Sequence, residues 1–270
     1  MVNKSFRTKY YFETNKNFYS SSGYKTWRSH KTSNRRTLML YSFSNKGKRK
    51  SNQDYLISKL INPECSLHIV VDGMGGYEYG EMASKLVAEN IYTYLSTVKE
   101  INEKEIQKAV NKSNLIIKQK SDDFGAKIGA TLAGVIIIHN VAYLFWVGDV
   151  KIIFIRDNEI IFESHSHTLI NQMIDNGNVI NRIERYKHIV TRSVSGNIKD
   201  GMISFEFIPN LIDDDLFIIC SDGVSDVINS YQINNLIKTV ASKQEAISQI
   251  EGLCSLESRD NFSMIMVQNH

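Results

Sequence analysis

The chain has 270 residues, a hydrophobic content of 42%, ample for a sizeable buried core, and a formal charge of +3. That charge is lopsided: residues 1–37 carry nine Lys/Arg against the single acid Glu13, which leaves about −5 for the rest, so the basicity belongs to the tail and not to the domain. Three cysteines (Cys65, Cys220, Cys254) without CxxC spacing argue against a disulfide framework, no window approaches the roughly 18 apolar residues of a membrane span, and no secretory signal stretch opens the chain.

From Met1 to Thr37 the sequence is rich in Tyr, Ser, Asn and Lys with no sustained period, and a flexible basic extension is expected there. Met39, just ahead of the first strand-like run, is an alternative start. Residues 38–270 are expected to form one domain. Short β-branched or aromatic runs predict strands at Leu38–Phe43, Tyr55–Ile61, Leu67–Val71, Thr131–Ile138, Ala142–Val147, Ile152–Ile155, Glu159–Phe162, Phe205–Ile208, Leu216–Cys220 and Phe262–Val267. Brief turns such as Asp157-Asn158 favour antiparallel pairing.

Helical spacing predicts Glu81–Val98, with Met82, Leu86, Ile91 and Leu95 on one stripe, and Glu103–Lys120, with Ile106, Val110, Asn114 and Ile117 on another. Shorter helices are predicted at Leu169–Asn176, Tyr231–Ala241 and Lys243–Leu256. Grouped strands and paired helices point to an α+β fold of two packed, mostly antiparallel sheets flanked by helices, an αββα sandwich.

The chemistry-bearing feature is a set of aspartates flanking apolar strands: Asp54, Asp72, Asp222 and Asp260. Strand ends are rigid mounts, and carboxylates that converge without partners repel one another unless cations lie between them. Asp72-Gly73 and Asp222-Gly223 read as tight turns in which glycine lets a carbonyl approach a metal. All-oxygen donors suit Mg²⁺ or Mn²⁺, and no HExxH-like spacing favours zinc. Two such ions can share a water, lower its pKa and present it to phosphorus, so no nucleophilic side chain is required. Asp226 and Asp213-Asp214-Asp215 read as solvated charge.

In order along the chain stand Gly47-Lys48-Arg49-Lys50-Ser51-Asn52-Gln53-Asp54, Val70-Val71-Asp72-Gly73-Met74-Gly75-Gly76 running into Gly80-Glu81, Gly129-Ala130-Thr131-Leu132, Val147-Gly148-Asp149, Val190-Thr191-Arg192, Cys220-Ser221-Asp222-Gly223 and Ser258-Arg259-Asp260-Asn261. This series resembles the metal-dependent type 2C protein serine/threonine phosphatases, particularly the compact bacterial kind, from about Leu38 to Val267. The resemblance implies two Mg²⁺ or Mn²⁺ ions. Asp72 would bridge them, Gly73 would offer its carbonyl, Asp222 and Asp260 would complete the second ion's ligands, and Asp54 would act through a metal-bound water. Arg49 would grip the substrate phosphate, a task suited to a planar, always charged fork; the other reading makes it a surface arginine among Lys46, Lys48 and Lys50. The segment from Leu169 to about Ser195 would be the flap bordering the cleft.

Several positions depart from the family pattern. Gln53 stands where glutamate is usual, Met74 where many eukaryotic relatives have a histidine, Ala126-Lys127-Ile128 where an aspartate commonly serves a third ion, and Val150-Lys151 and Ser166-His167 where Ser-Arg-like and Asp-His pairs are common. A third ion is therefore not expected, with Asp122 or Asp123 as poorly placed substitutes, and Asp149 is expected to orient a neighbouring loop.

The expected activity is hydrolysis of phosphoserine and phosphothreonine in proteins, opposing a partner Ser/Thr kinase. The alternative is a weak or inactive phosphatase-like module that binds phosphorylated partners, which Gln53 and the missing aspartate motivate. Nucleic-acid binding rests on the tail alone and is not expected. The expected state is a cytoplasmic monomer without membrane contact.

Overall fold

A computed structural model describes residues 38–75, 77–177, 186 and 188–269; the predicted extension over 1–37 and part of the predicted flap lie outside the described residues. The strands are β1 (Leu38–Asn45), β2 (Asp54–Asn62), β3 (Cys65–Met74), β4 (Gly129–Ile138), β5 (Val141–Val147), β6 (Lys151–Arg156), β7 (Glu159–Glu163), β8 (Ser204–Ile208), β9 (Leu216–Cys220) and β10 (Phe262–Asn269). The helices are α1 (Tyr77–Leu95), α2 (Glu103–Phe124), α3 (Leu169–Asp175), α4 (Asp222–Ser225), α5 (Ser230–Thr239) and α6 (Lys243–Glu257). Two five-stranded sheets form, ordered β1-β10-β9-β6-β7 and β2-β3-β4-β5-β8. Every pairing within them is antiparallel. This is the expected αββα sandwich.

Strand periodicity explains the layering. Along β3, Leu67, Ile69 and Val71 face α1 and α2, whereas Val70 joins Ala133, Val135, Phe217, Ile219, Ile265 and Val267 between the sheets. The outer face of the other sheet, with Ile218, Cys220, Met264 and Met266, packs on α5 and α6 through Ile233, Ile237, Ala246, Ile247 and Ile250. Because strands in the sandwich core are covered on both faces, they read as continuous apolar runs.

The helices start and stop where their caps allow. Asn102 accepts from Glu105 N at the start of α2, and Gly125, with φ 60°, closes its other end in the left-handed region. Asn229 and Gln232 form a reciprocal capping box on α5, and Ser242 caps α6. In α1 the buried stripe is Ala83, Val87, Ala88, Ile91 and Leu95; Met82 and Leu86 flank it rather than centre it.

Two turn expectations are overturned. Gly73 lies inside β3, paired with Ala130, and Gly223 lies in the short helix α4, which has too few residues to show a period. Neither has a positive φ. Both are glycine because of close approach: an added Cβ would stand 2.0 Å from Gly80 O at the first and 2.0 Å from Asn261 O at the second.

Candidate active site

Antiparallel pairing gathers distant sequence at one end of the sandwich. The start of β2, the end of β3 and the start of β4 lie side by side, with Asp54 opposite Asp72 and Asp72 opposite Thr131. In the facing sheet the end of β9 meets the starts of β10 and β6, so Cys220 pairs with Met264 and Lys151. The residues just beyond those strand ends, Asp222 and Asp260, therefore project over the same opening. A cleft of about 710 Å³ results, lined among others by Arg49, Gln53, Asp72, Gly73, Asp222 and Asp260.

The first carboxylate lies opposite Asp72 and is buried. Asp54 is 6% exposed; its Oδ2 accepts from Ser221 Oγ at 2.8 Å, and its Oδ1 is buried with no hydrogen-bond partner. Burial raises its pKa to about 6, with Asp260 and Asp149 adding repulsion against the help of nearby hydroxyls. Asp72 is pushed well above the usual carboxylate range by burial, then by Asp54 and Asp222. Asp222 is raised by burial and by Asp149 and Asp260, and its Oδ1 is likewise buried and unpartnered.

Orphaned acceptors that repel one another fit one kind of guest. Each buried oxygen without a donor costs desolvation energy, and a hard divalent cation removes both that cost and the repulsion. The donor set around the cleft, carboxylates plus the Gly73 backbone, suits Mg²⁺ or Mn²⁺ rather than zinc.

One wall of the cleft is the loop carrying Arg49. Arg49 Nη2 stands 2.6 Å from Asp260 Oδ2, so the phosphate-reading candidate and a carboxylate candidate form an ion pair. The loop is held by Asn261, which is 4% exposed: its Nδ2 donates to Lys46 O and Ser51 O, each at 2.8 Å, and its Oδ1 accepts from Gln53 N at 2.9 Å. Gly47, with φ 55°, supplies the left-handed turn, and a Cβ there would meet Asp260 O at 2.2 Å. Asn261 was not singled out from sequence; an amide bonded at both ends has no signature apart from its neighbour Asp260.

The opposite wall holds residues that sequence reasoning undervalued. Asp149, Asp226 and His188 all line the cleft. His188, Asp222 and Asp226 offer ligand atoms within 4.8 Å of one another, with His188 Nδ1 3.6 Å from Asp226 Oδ2. Asp226 is thus not mere solvated charge. Asp222 opens α4 and Asp226 caps its far end, so a spacing of one helical turn stacks the two on one face. Burial raises the pKa of Asp149, and Asp226 adds to the rise. Asp122 and Asp123 lie elsewhere: Asp122 lines a separate pocket with Lys118 and Lys127, and Asp123 pairs with Lys120 at 3.2 Å.

His167 is a structural histidine. Its Nδ1 accepts from Gly148 N at 3.0 Å, its backbone N–H donates to Gly148 O at 2.8 Å, and its Nε2 lies 2.9 Å from Ser204 Oγ. Burial, then Arg192 and His165, lower its pKa to about 4. Arg192 Nη1, a donor only, also lies 2.9 Å from that Nε2. The predicted flap is anchored at both roots, by the bridge between Thr168 and Val190 and that between Ala130 and Val194; residues 178–185 and 187 lie outside the described residues.

Comparison with known proteins agrees with this architecture. The family model for Protein phosphatase 2C matches residues 44–256. The protein phosphatase PhpP of Streptococcus pneumoniae is 26% identical over 212 residues, covering 74% of this chain and 85% of its own. Among solved structures, the serine/threonine phosphatase Stp1 of Staphylococcus aureus has a TM-score of 0.76 at 19% identity, covering 85% of this chain and 94% of its own. The catalytic domain of the serine/threonine protein phosphatase PstP in complex with two manganese ions has a TM-score of 0.72 at 21% identity, covering 86% and 98%.

Proposed function

This chain belongs to the protein phosphatase 2C family, and from that premise we propose that it hydrolyses phosphoserine and phosphothreonine in proteins, using two Mg²⁺ or Mn²⁺ ions. The observation that carries the reading is the convergence of Asp54, Asp72 and Asp222 with two buried, unpartnered carboxylate oxygens among them. Asp72, Gly73, Asp222 and Asp260 would hold the ions directly, and Asp54 would hold water in their shell. When bound, such ions supply Lewis acidity that lowers the pKa of water and offsets charge on a phosphoryl group.

The chain's own groups divide the remaining tasks. Arg49 reaches into the cleft from the Asn261-clamped loop, where it would orient the substrate phosphate through paired N–H donors. Ser221 donates to Asp54 Oδ2, which leaves Oδ1 as the oxygen without a partner. Gln53 contributes an amide where a carboxylate would add charge, which lowers the pull on cations. Met74 lines the cleft without a titratable proton, so leaving-group protonation falls to water.

A soluble phosphothreonine peptide assayed with Mn²⁺, with Mg²⁺ and with chelator, for the intact chain and Asp222→Asn, tests the proposal. Metal-dependent release of phosphate that Asp222→Asn reduces by at least about 100-fold is expected, in line with the loss of a charged ligand at a metal centre. Release that persists in chelator, or that the variant retains, would refute it. A partner kinase would be the source of such substrates.

A further inference from the structure

The rim beside Arg49 is more cationic than the proposed reaction needs. Lys46, Lys48, Arg49 and Lys50 belong to one exposed loop, and Arg259 lines the cleft next to it, against Glu257 and Asp260. Arg49, Lys48 and Lys50 already have interactions of their own. Arg49 pairs with Asp260 at 2.6 Å, and Lys48 Nζ donates to Leu256 O at 3.1 Å, at the carbonyl end of α6, where a cation is favoured. Arg259 is exposed, and among the described residues it has no ion-pair or hydrogen-bond partner for its guanidinium.

An unpaired guanidinium beside a cleft suited to divalent cations raises the local positive potential and opposes their entry. That position is useful only when an anion comes to lie against it. The phosphate to be cleaved is Arg49's task, so the anion for Arg259 must be a second one. The scaffold under it is stiff: Asn261 fixes the loop at Lys46 and Ser51, and Ser258 Oγ lies 3.3 Å from Asp260 N.

Building on the phosphatase reading, we propose that Arg259, backed by the Lys46–Lys50 loop, forms a subsite for a second anionic group near the phosphoresidue. The preferred substrate class is then a peptide whose phosphothreonine or phosphoserine is flanked by an acidic side chain or a second phosphate. A planar fork with a free face suits either, because both present oxygen pairs. The contact adds a charge-assisted bond to binding and to the transition state alike, so it acts on KM.

The test uses phosphothreonine peptides with neutral, aspartate or phosphoserine flanks on each side, and matching peptides with a non-hydrolysable phosphonate in place of the phosphothreonine. Turnover and Kd are measured with Mn²⁺ at low salt for the intact chain, Arg259→Gln and Arg259→Lys. The readout is the ratio of charged-flank to neutral-flank peptide within each protein. A ratio of about tenfold is expected in the intact chain, worth one charge-assisted contact. It should fall below about threefold in Arg259→Gln and be largely kept in Arg259→Lys. Aspartate and phosphoserine arms identify which anion is preferred. A ratio near one in the intact chain, or an equal ratio in Arg259→Gln, overturns the subsite. The phosphonate Kd values decide it even if turnover is absent, an outcome that would remove the phosphatase reading and not the subsite.

Discussion

Asp54→Asn should stabilise the metal-free protein, although the residue stands opposite Asp72 of the cleft. Burial lifts the pKa of Asp54 from 3.8 to about 6, roughly two units or about 3 kcal/mol at 1.4 kcal/mol per unit. Between pH 3.8 and 6 the native chain keeps a proton that the unfolded chain has released. Stability therefore falls as pH rises through that window, and the full penalty is present above it. An asparagine carries no charge to desolvate, and its carbonyl still accepts the Ser221 hydroxyl. For a domain of this size about 3 kcal/mol corresponds to a rise in Tm of roughly 6–12 °C. The assay is thermal unfolding in chelator at pH 4, 5, 6 and 7.5. The gain should be near zero at pH 4 and grow towards neutral pH. Saturating Mn²⁺ should remove most of that difference, because an ion at about 100 times its Kd adds roughly 2.7 kcal/mol to the chain that binds it. A variant that is less stable than the parent in chelator at pH 7.5, or a gain independent of pH, would refute the reasoning.

The remaining expectations follow from single contacts. Gly223→Ala puts a Cβ 2.0 Å from Asn261 O and should cost about 3 kcal/mol in urea unfolding, whereas Gly252→Ala, with open space around it, should gain about 0.5–1 kcal/mol from helix propensity. His68 is 4% exposed, and burial drops its pKa to about 3. The native chain thus refuses a proton that the unfolded one accepts below pH 6.5, and stability falls as pH drops from there. In His68→Gln the slope of unfolding free energy against pH between 6 and 4 should flatten by about 1.4 kcal/mol per unit; parallel slopes would contradict it. Arg49→Ala should raise the phosphopeptide KM about tenfold or more while moving the Mn²⁺ midpoint little, measured by steady-state kinetics and metal titration.

The layers of this fold were legible because its chemistry is repetitive. Ile69-Val70-Val71, Phe217-Ile218-Ile219 and Met264-Ile265-Met266 are strands covered on both sides, and β-branched or apolar runs of that length have few other uses. Elements that depend on one or two contacts were not legible. Four residues of α4 show no period, and Gly73 and Gly223 looked like turn residues because a chain alone does not reveal which carbonyl lies against a missing Cβ. The same limit divides the carboxylates. Asp72 and Asp222 stood out by their strand-end settings, while Asp149 was expected only to orient a loop and Asp226 resembled any surface acid until tertiary packing put both in the same cleft. Asn261 stood in the sequence only as the end of a motif, and its role was not legible because its work lies in backbone carbonyls 210 and 215 positions away.

The order of strands in one sheet has a consequence for how the protein comes into being. β10, the last strand of the described residues, lies between β1, the first, and β9. On the ribosome β1 must therefore wait for its sheet neighbour among the described residues until the eight strands between them have been made. Until then Asp260 and the Asn261 clamp are missing, and the arginine loop has nothing to close on. A chain without β10 also lacks the strand that follows Asp260, and deleting β10 would open a gap in the interior of a sheet rather than shorten an edge.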